Sequence, residues 1–256
     1  MPLIAIDAMG GDHVPSVPVQ GAFRALENNP DLKIILVGPE DQVMPAIDSC
    51  GGLNDRVQFV HAPEWVTMEE SPVEALRNKP ASSLASIVMM QKERTVEGIF
   101  SAGNTGAFVA ACSVHLRMHE GVRRPAIALP MPRGEKPIIL CDGGANVESR
   151  PQHLLHNAAM SATFLTSVYG IESPRIGLLN VGSEADKGHT LAKETFELLS
   201  ASGLNFCGNV EGNDLFNTTV DVIVCDGFTG NVVLKSSEGL SEFIFSTIAR
   251  ELSGDS

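Results

Sequence analysis

Four apolar runs in this chain end in the same way, and that repetition limits what the chain can fold into. Leu3–Ile6 runs into Asp7-Ala8-Met9-Gly10-Gly11-Asp12, and Gly98–Phe100 into Ser101-Ala102-Gly103-Asn104-Thr105-Gly106-Ala107. Pro137–Cys141 runs into Asp142-Gly143-Gly144-Ala145-Asn146, and Val222–Cys225 into Asp226-Gly227-Phe228-Thr229-Gly230-Asn231. Each reads as a buried strand followed by a glycine turn with Asn or Asp close behind. In an open α/β sheet such turns gather at the carboxyl ends of the strands, where ligands bind. Where a helix follows, as expected over Ala107–Met118, turn N–H groups and the helix N-terminus favour an anion, phosphate above all. One such turn is weak evidence, because many strand–helix turns bind nothing. Four of them carry more weight.

The intervening segments alternate strand and helix. Helical spacing covers Pro15–Glu27, with Val19, Phe23 and Leu26 on one face, and recurs over Glu40–Ser49, Ser82–Lys92, Pro151–Tyr169 (stopped by Gly170) and Thr190–Ser200. Strands are expected at Lys33–Val37, Val57–Val60, Arg175–Leu179 and Asn205–Val210. The pattern predicts one α/β domain over residues 1–256, with a mostly parallel sheet covered on both faces. Pro125–Met131 and Pro137–Cys141, joined through Pro132-Arg133-Gly134-Glu135, read as an antiparallel hairpin within it. Residues 62–80 are irregular, and Glu69-Glu70 reads as a solvated face. Over 240–256, Leu240, Phe243, Ile244, Phe245, Ile248 and Leu252 share one helical face. That face needs a second subunit, a membrane surface or a further segment to cover it.

Composition excludes several classes. A net charge of −13 argues against nucleic acid, which needs a basic footprint. No run is long and apolar enough to span a membrane, and the start lacks a signal-peptide pattern, so a cytoplasmic address is expected. The five cysteines form no C-x-x-C pair and read as reduced structural thiols. His115/His119 and His153/His156 lack a third ligand, so no metal is expected. The P-loop, the G-x-G-x-x-G fingerprint and the G-x-S-x-G elbow are all missing from the sequence. What remains is an anion-binding α/β cleft with no protein nucleophile. Lys187, followed by Gly188 in the turn after a strand, suits a phosphate as a point charge. Asn104, Asn180, Asn213 and Asn231 add neutral donors. Arg117, Arg123, Arg124, Arg133 and Lys136 form a local basic stretch that is either a solvated loop or a surface selecting an acidic partner.

The four turns, with Lys187-Gly188, occur in the order found in the bacterial phosphate acyltransferase (PlsX) family, which this chain resembles from Met1 to about Leu240. The resemblance implies reversible transfer of a long-chain acyl group from acyl-acyl-carrier protein to inorganic phosphate. The product is an acyl-phosphate for glycerol-3-phosphate acylation in phospholipid synthesis. It implies no cofactor and a Rossmann-like three-layer αβα sandwich akin to phosphotransacetylases and isopropylmalate dehydrogenases. It also implies a homodimer, peripheral contact with the inner face of the cell membrane and with a glycerol-3-phosphate acyltransferase, and a chain that continues past residue 256.

On this reading Ser101, Gly103, Asn104, Thr105, Gly106 and Lys187 hold phosphate. Asn180, Asn231 and the N–H groups of the Asp226–Asn231 turn face the thioester oxyanion. Asp7, Asp142 and Asp226 either orient these donors or repel stray anions. Gly10, Gly11, Asp12, Gly143, Asn146 and Asn213 support the turns, His189 is a candidate to protonate the departing thiolate, and the basic stretch docks the acidic carrier. Three rivals stay open: a phosphotransacetylase acting on short acyl-CoA, a dehydrogenase of the isopropylmalate type, and a non-catalytic carrier-protein-binding scaffold.

Overall fold

The computed structural model describes residues 1–134, 136–217 and 219–253. Two compact units divide the chain, Met1–His119 and the part from Glu120 onward, and the strands fall in two sheets rather than the single sheet expected.

The first unit carries β1 (Leu3–Asp7), β2 (Lys33–Gly38), β3 (Val57–His61) and β4 (Gly98–Phe100) in the order β3-β2-β1-β4, all parallel. Period-2 alternation assigns the two faces. Ile4, Ile6, Ile34 and Leu36 pack beneath α1 (Ser16–Asn28) and α2 (Glu40–Ser49) through Val19, Leu26, Val43 and Ile47. Ala5, Ile35 and Val37 meet α4 (Ser83–Lys92) and α5 (Thr105–His115) through Ile87, Val88 and Ala111. Helices on both faces make this unit three-layered. The strand order reverses at β1, so β1 and β4 bound the crevice where ligands bind in such sheets. A short helix the sequence reading missed, α3 (Pro72–Asn78), lies in the irregular 62–80 stretch and adds Ala75 to a small cluster with Leu84 and Ala107. Its seven residues are too few for a periodic apolar stripe to register.

The second unit carries β5 (Ala128–Met131), β6 (Ile138–Cys141), β7 (Ile176–Leu179), β8 (Phe206–Val210) and β9 (Val222–Val224), ordered β5-β6-β9-β7-β8. Only β5 runs antiparallel, forming the expected hairpin with β6; its Glu135 lies outside the described residues. Ile139, Cys141, Leu178 and Val224 pack against α6 (Pro151–Tyr169) and α7 (Thr190–Ala201). The opposite face, with Leu140 and Ile223, is covered by Leu215, Val220 and Val233. Gly170 ends α6 at φ 65°, the left-handed cap position that glycine adopts without a Cβ penalty.

The last helix differs most from expectation. It begins at Gly227 rather than near residue 240 and runs unbroken as α8 (Gly227–Ser253). The fourth turn is therefore largely the first turn of a helix. Along α8, Leu240, Phe243, Ile244, Phe245, Ile248 and Leu252 are exposed, so the expected apolar face is present and uncovered.

Candidate active site

In the first unit the turns after β1 and β4 meet. Asp7 is buried, and its carboxylate accepts from Met9 N at 3.0 Å and from Ser101 Oγ at 2.8 Å. Ser101 Oγ in turn accepts from Gly103 N at 3.1 Å. A Cβ on Gly10 would fall 2.6 Å from Ser101 Oγ and 2.8 Å from Gly103 N, so only glycine lets the turns approach. Burial pushes the Asp7 carboxyl above its ordinary value, opposed by the nearby Ser83 hydroxyl and by the hydrogen bonds from Ser101 and Met9 N–H. The protonated form therefore favours the fold. That contribution is present below the unfolded pKa and is lost as pH rises through the raised one. Asp7 thus holds Ser101 in place, and the Ser83 hydroxyl at the start of α4 is buried without a hydrogen-bond partner of its own.

Asn104 does not present its side chain to an anion. Its Oδ1 caps α5 by accepting from Ala107 N at 3.0 Å. Its amide nitrogen donates to the carbonyls of Glu70 at 3.0 Å and Met68 at 3.2 Å. That loop is braced by Glu70, which pairs with Lys79 at 2.6 Å and accepts from Thr67 N at 2.8 Å. The hydrogen bond from Lys79, then that from Thr67 N–H, holds the Glu70 carboxyl below its usual range. Glu70 is therefore a bracing residue, not part of a merely solvated face. The partners lie nine and thirty-four positions apart, beyond any local pattern. The groups offered to an anion here are the first-turn N–H groups of α5 at Thr105 and Gly106, which have no partner within the helix; Ser101, expected to hold phosphate, spends its single O–H on Asp7 instead. Gly11 (φ 118°) and Asp12 sit at the rim of the same turn.

In the second unit Asp142 is fully buried, and five hydrogen bonds converge on its carboxylate. Oδ1 accepts from Ile127 N, Gly144 N and Ala145 N at 2.9–3.1 Å; Oδ2 accepts from Asn146 N and Asn146 Nδ2 at 2.9 and 2.8 Å. Asp142 is thus the keystone of its own turn, with no lone pair left to orient a substrate-binding donor. The turn packs on α8: Gly227 N donates to Asn146 O at 2.9 Å, and Gly144 lies against Asn231. Asp226 caps α8, accepting from Thr229 N at 2.9 Å and Thr229 Oγ1 at 2.8 Å. Gly230 N donates to Asp226 O. With the N–H groups of Gly227, Thr229 and Gly230 already bonded, these three do not take the expected oxyanion role.

Beside that helix start lies a cavity of about 300 Å³ that gathers Asn180, Gly188, His189, Asp226 and Thr229 around an apolar floor including Leu154 and Val233. The side-chain nitrogen of Asn180 donates to Lys187 O at 3.1 Å, closing the loop that follows β7. His189 caps α7, its Nδ1 accepting from Ala192 N at 3.2 Å, which assigns the proton of the neutral ring to Nε2. That nitrogen is a potential donor. Lys187 is exposed and, among the described residues, pairs with no carboxylate. Asn213 and Asn231 are also exposed; neither lines the cavity.

The basic stretch divides. Arg123, Arg124 and Lys136 are exposed in the second unit, and Arg117 is exposed in the first. Arg133 is not free: its guanidinium pairs with Asp221 at 2.8 Å, tying the hairpin to the start of β9, so it leaves the docking set. His119 lies beyond the end of α5 at His115, so that pair does not share a helical face. Burial pushes the Cys141 thiol up to about 12, and Cys225 is raised as well by burial.

A family model described as "Fatty acid synthesis protein" matches residues 3–255. The chain belongs to that family. This member is 44% identical over 251 residues to a phosphate acyltransferase of Halalkalibacterium halodurans, covering 97% of this chain and 73% of the relative. It is 42% identical over 249 residues to a phosphate acyltransferase of Clostridium tetani, covering 97% and 75%. Among solved structures, the EutD phosphotransacetylase of Staphylococcus aureus matches with a TM-score of 0.66 at 16% identity, covering 94% of this chain and 83% of that one. At that identity the likeness concerns fold alone, and it agrees with the phosphotransacetylase-like α/β class expected.

Two measurements check these assignments. Asp142→Ala strands several buried N–H groups and should cost at least about 3 kcal/mol in urea unfolding. Asp226→Ala removes one helix cap and should cost about 1 kcal/mol; equal costs would remove Asp142 from its structural role. Native-state alkylation should modify exposed Cys207 and leave buried Cys141 and Cys225 intact, without loss of activity. Inactivation that follows labelling of Cys141 or Cys225 would restore a thiol nucleophile to consideration.

Proposed function

We propose that this chain is an acyltransferase that moves an acyl group onto inorganic phosphate, giving an acyl-phosphate. Its membership of the family, together with 44% identity to a phosphate acyltransferase over nearly the whole chain, carries that reading. The chemistry agrees with the residues. A phosphate oxygen is already nucleophilic near neutral pH and forms the new bond to the thioester carbonyl carbon. The C–S bond then breaks and the thiolate leaves with a proton. No enzyme nucleophile is required, which is consistent with buried, protonated thiols at Cys141 and Cys225. The protein contributes positioning and charge stabilisation.

The finer assignments are ours. The donor is a long-chain acyl-acyl-carrier protein, an acidic partner suited to exposed Arg117, Arg123, Arg124 and Lys136. In the first unit the N–H groups of Thr105 and Gly106, in the turn that begins at Ser101 and Gly103, are the groups offered to phosphate; in the second unit the group offered is Lys187. Asp7 with Gly10 holds Ser101 in place. In the second unit the remaining amide N–H of Asn180 is a neutral donor for an oxyanion, and His189 Nε2–H supplies the proton for the thiolate. The uncovered apolar row of α8 supports a homodimer with peripheral attachment to a membrane.

Incubating the chain with long-chain acyl-acyl-carrier protein and phosphate, and trapping product with hydroxylamine, tests the reaction. Phosphate-dependent hydroxamate is expected, and turnover of acetyl-CoA alone would transfer the reading to short acyl-CoA. Lys187→Ala should lower kcat/KM at least a hundredfold with an unchanged Tm; near-normal turnover would take Lys187 out of the site. Reversing Arg123 and Arg124 to Glu should raise the carrier-protein KM about tenfold and flatten its salt dependence, leaving KM for phosphate unchanged. An unchanged carrier KM would move docking elsewhere.

A further inference from the structure

The first unit holds a cavity of about 620 Å³ between α1 and the sheet, within the range that small organic ligands occupy. It is a cleft open to solvent along one side, since Val17, Gly21 and Phe100 at its walls are exposed. Its sheet side is formed by Ile4, Ile6, Ile34 and Phe100, and α1 contributes Val17, Gly21 and Ala25 along one face at four-residue spacing. No charged side chain interrupts this body.

Gly21 is the informative residue. It lies in the interior of a 13-residue helix, where glycine is the poorest choice short of proline. Its backbone has no left-handed conformation to accommodate, and a Cβ there would meet nothing within 4 Å. Neither strain nor crowding accounts for it; what the missing side chain does is keep the cavity open. Phe100 and Val17 agree, being large apolar residues that stay 54% and 56% exposed at the cavity wall.

The cavity is polar at one end only. There it is bounded by Gly10, Gly11, Asp12, His13 and Ala102, the turns in which Asp7 orients Ser101. An apolar body that opens onto the anion-binding turn matches a fatty acyl thioester, whose chain is apolar and whose reacting carbonyl lies at one end. We infer that the cavity between α1 and the β1–β2–β4 sheet binds the acyl chain of the donor, with the thioester at the Gly10–Ala102 mouth. This rests on the acyl-transfer reading above. It makes α1 the measuring surface for chain length, with Gly21 midway and Ala25 farther from the mouth.

Two readouts keep this separate from the proposed activity. The first compares kcat/KM for four-carbon and sixteen-carbon acyl-carrier-protein donors in the wild type and in Gly21→Leu. Each methylene denied burial costs about fourfold. Gly21→Leu should therefore lower the sixteen-carbon value at least tenfold and leave the four-carbon value within twofold. Val17→Glu, at a position already exposed, should act in the same direction and covers the case in which Gly21→Leu does not fold. Equal effects on both donors, or none on either, would overturn the inference. The second readout is fluorescence of bound cis-parinaric acid, an eighteen-carbon fatty acid, and needs no turnover. Binding by the wild type that weakens at least tenfold in Gly21→Leu supports the cavity even if no acyl-phosphate forms. No binding, or binding unchanged in both variants, would overturn it.

Discussion

Where parallel strands end, backbone N–H groups are left without partners, and this chain meets that demand with buried or half-buried aspartates. Asp142 does so most completely, collecting four backbone N–H groups and one amide nitrogen on a carboxylate with no exposure. Asp7 performs the same service for Met9 N while passing its other oxygen to Ser101. Asp226 does so for the first turn of α8. Desolvating a carboxylate is costly unless several donors converge on it, so each aspartate and its glycine turn stand or fall together.

That constraint sorts the polar residues. Those whose donors and acceptors are already occupied, Asp142, Asn146, Asn104 and Arg133, hold the scaffold. Those with capacity left over, Lys187, His189 and the N–H groups opening α5, are available to substrate. The glycines follow the same division. Gly10, Gly227 and Gly230 permit close backbone approach, whereas Gly21 touches nothing and shapes an empty volume instead.

Much of the fold was legible because its signals are local. Continuous apolar runs at Leu3–Ile6 and Lys33–Val37 marked strands buried on both faces, and Gly170 marked the end of α6. Helix α2 falls on the expected residues, Glu40–Ser49. The start of α8 was not legible, because Gly-Phe-Thr-Gly-Asn reads as a turn until the 142–146 turn is packed against it. Glycine at 227 and 230 is dictated by that neighbour, not by chain conformation. The brace from Lys79 through Glu70 to the Asn104 loop was invisible for the same reason, joining residues whose proximity exists only after folding.

By itself the sequence determined the alternation of strands and helices, the glycine–aspartate turns at the strand ends and the family, because apolar periodicity and turn chemistry operate over a few residues. Tertiary structure alone decided that the strands form two sheets, that β9 inserts between β6 and β7, and which polar groups remain free. It also opened the cavity beside Gly21. The reason is physical: hydrogen-bond capacity and empty volume belong to sets of residues distant in the chain, and neither exists until those residues are brought together.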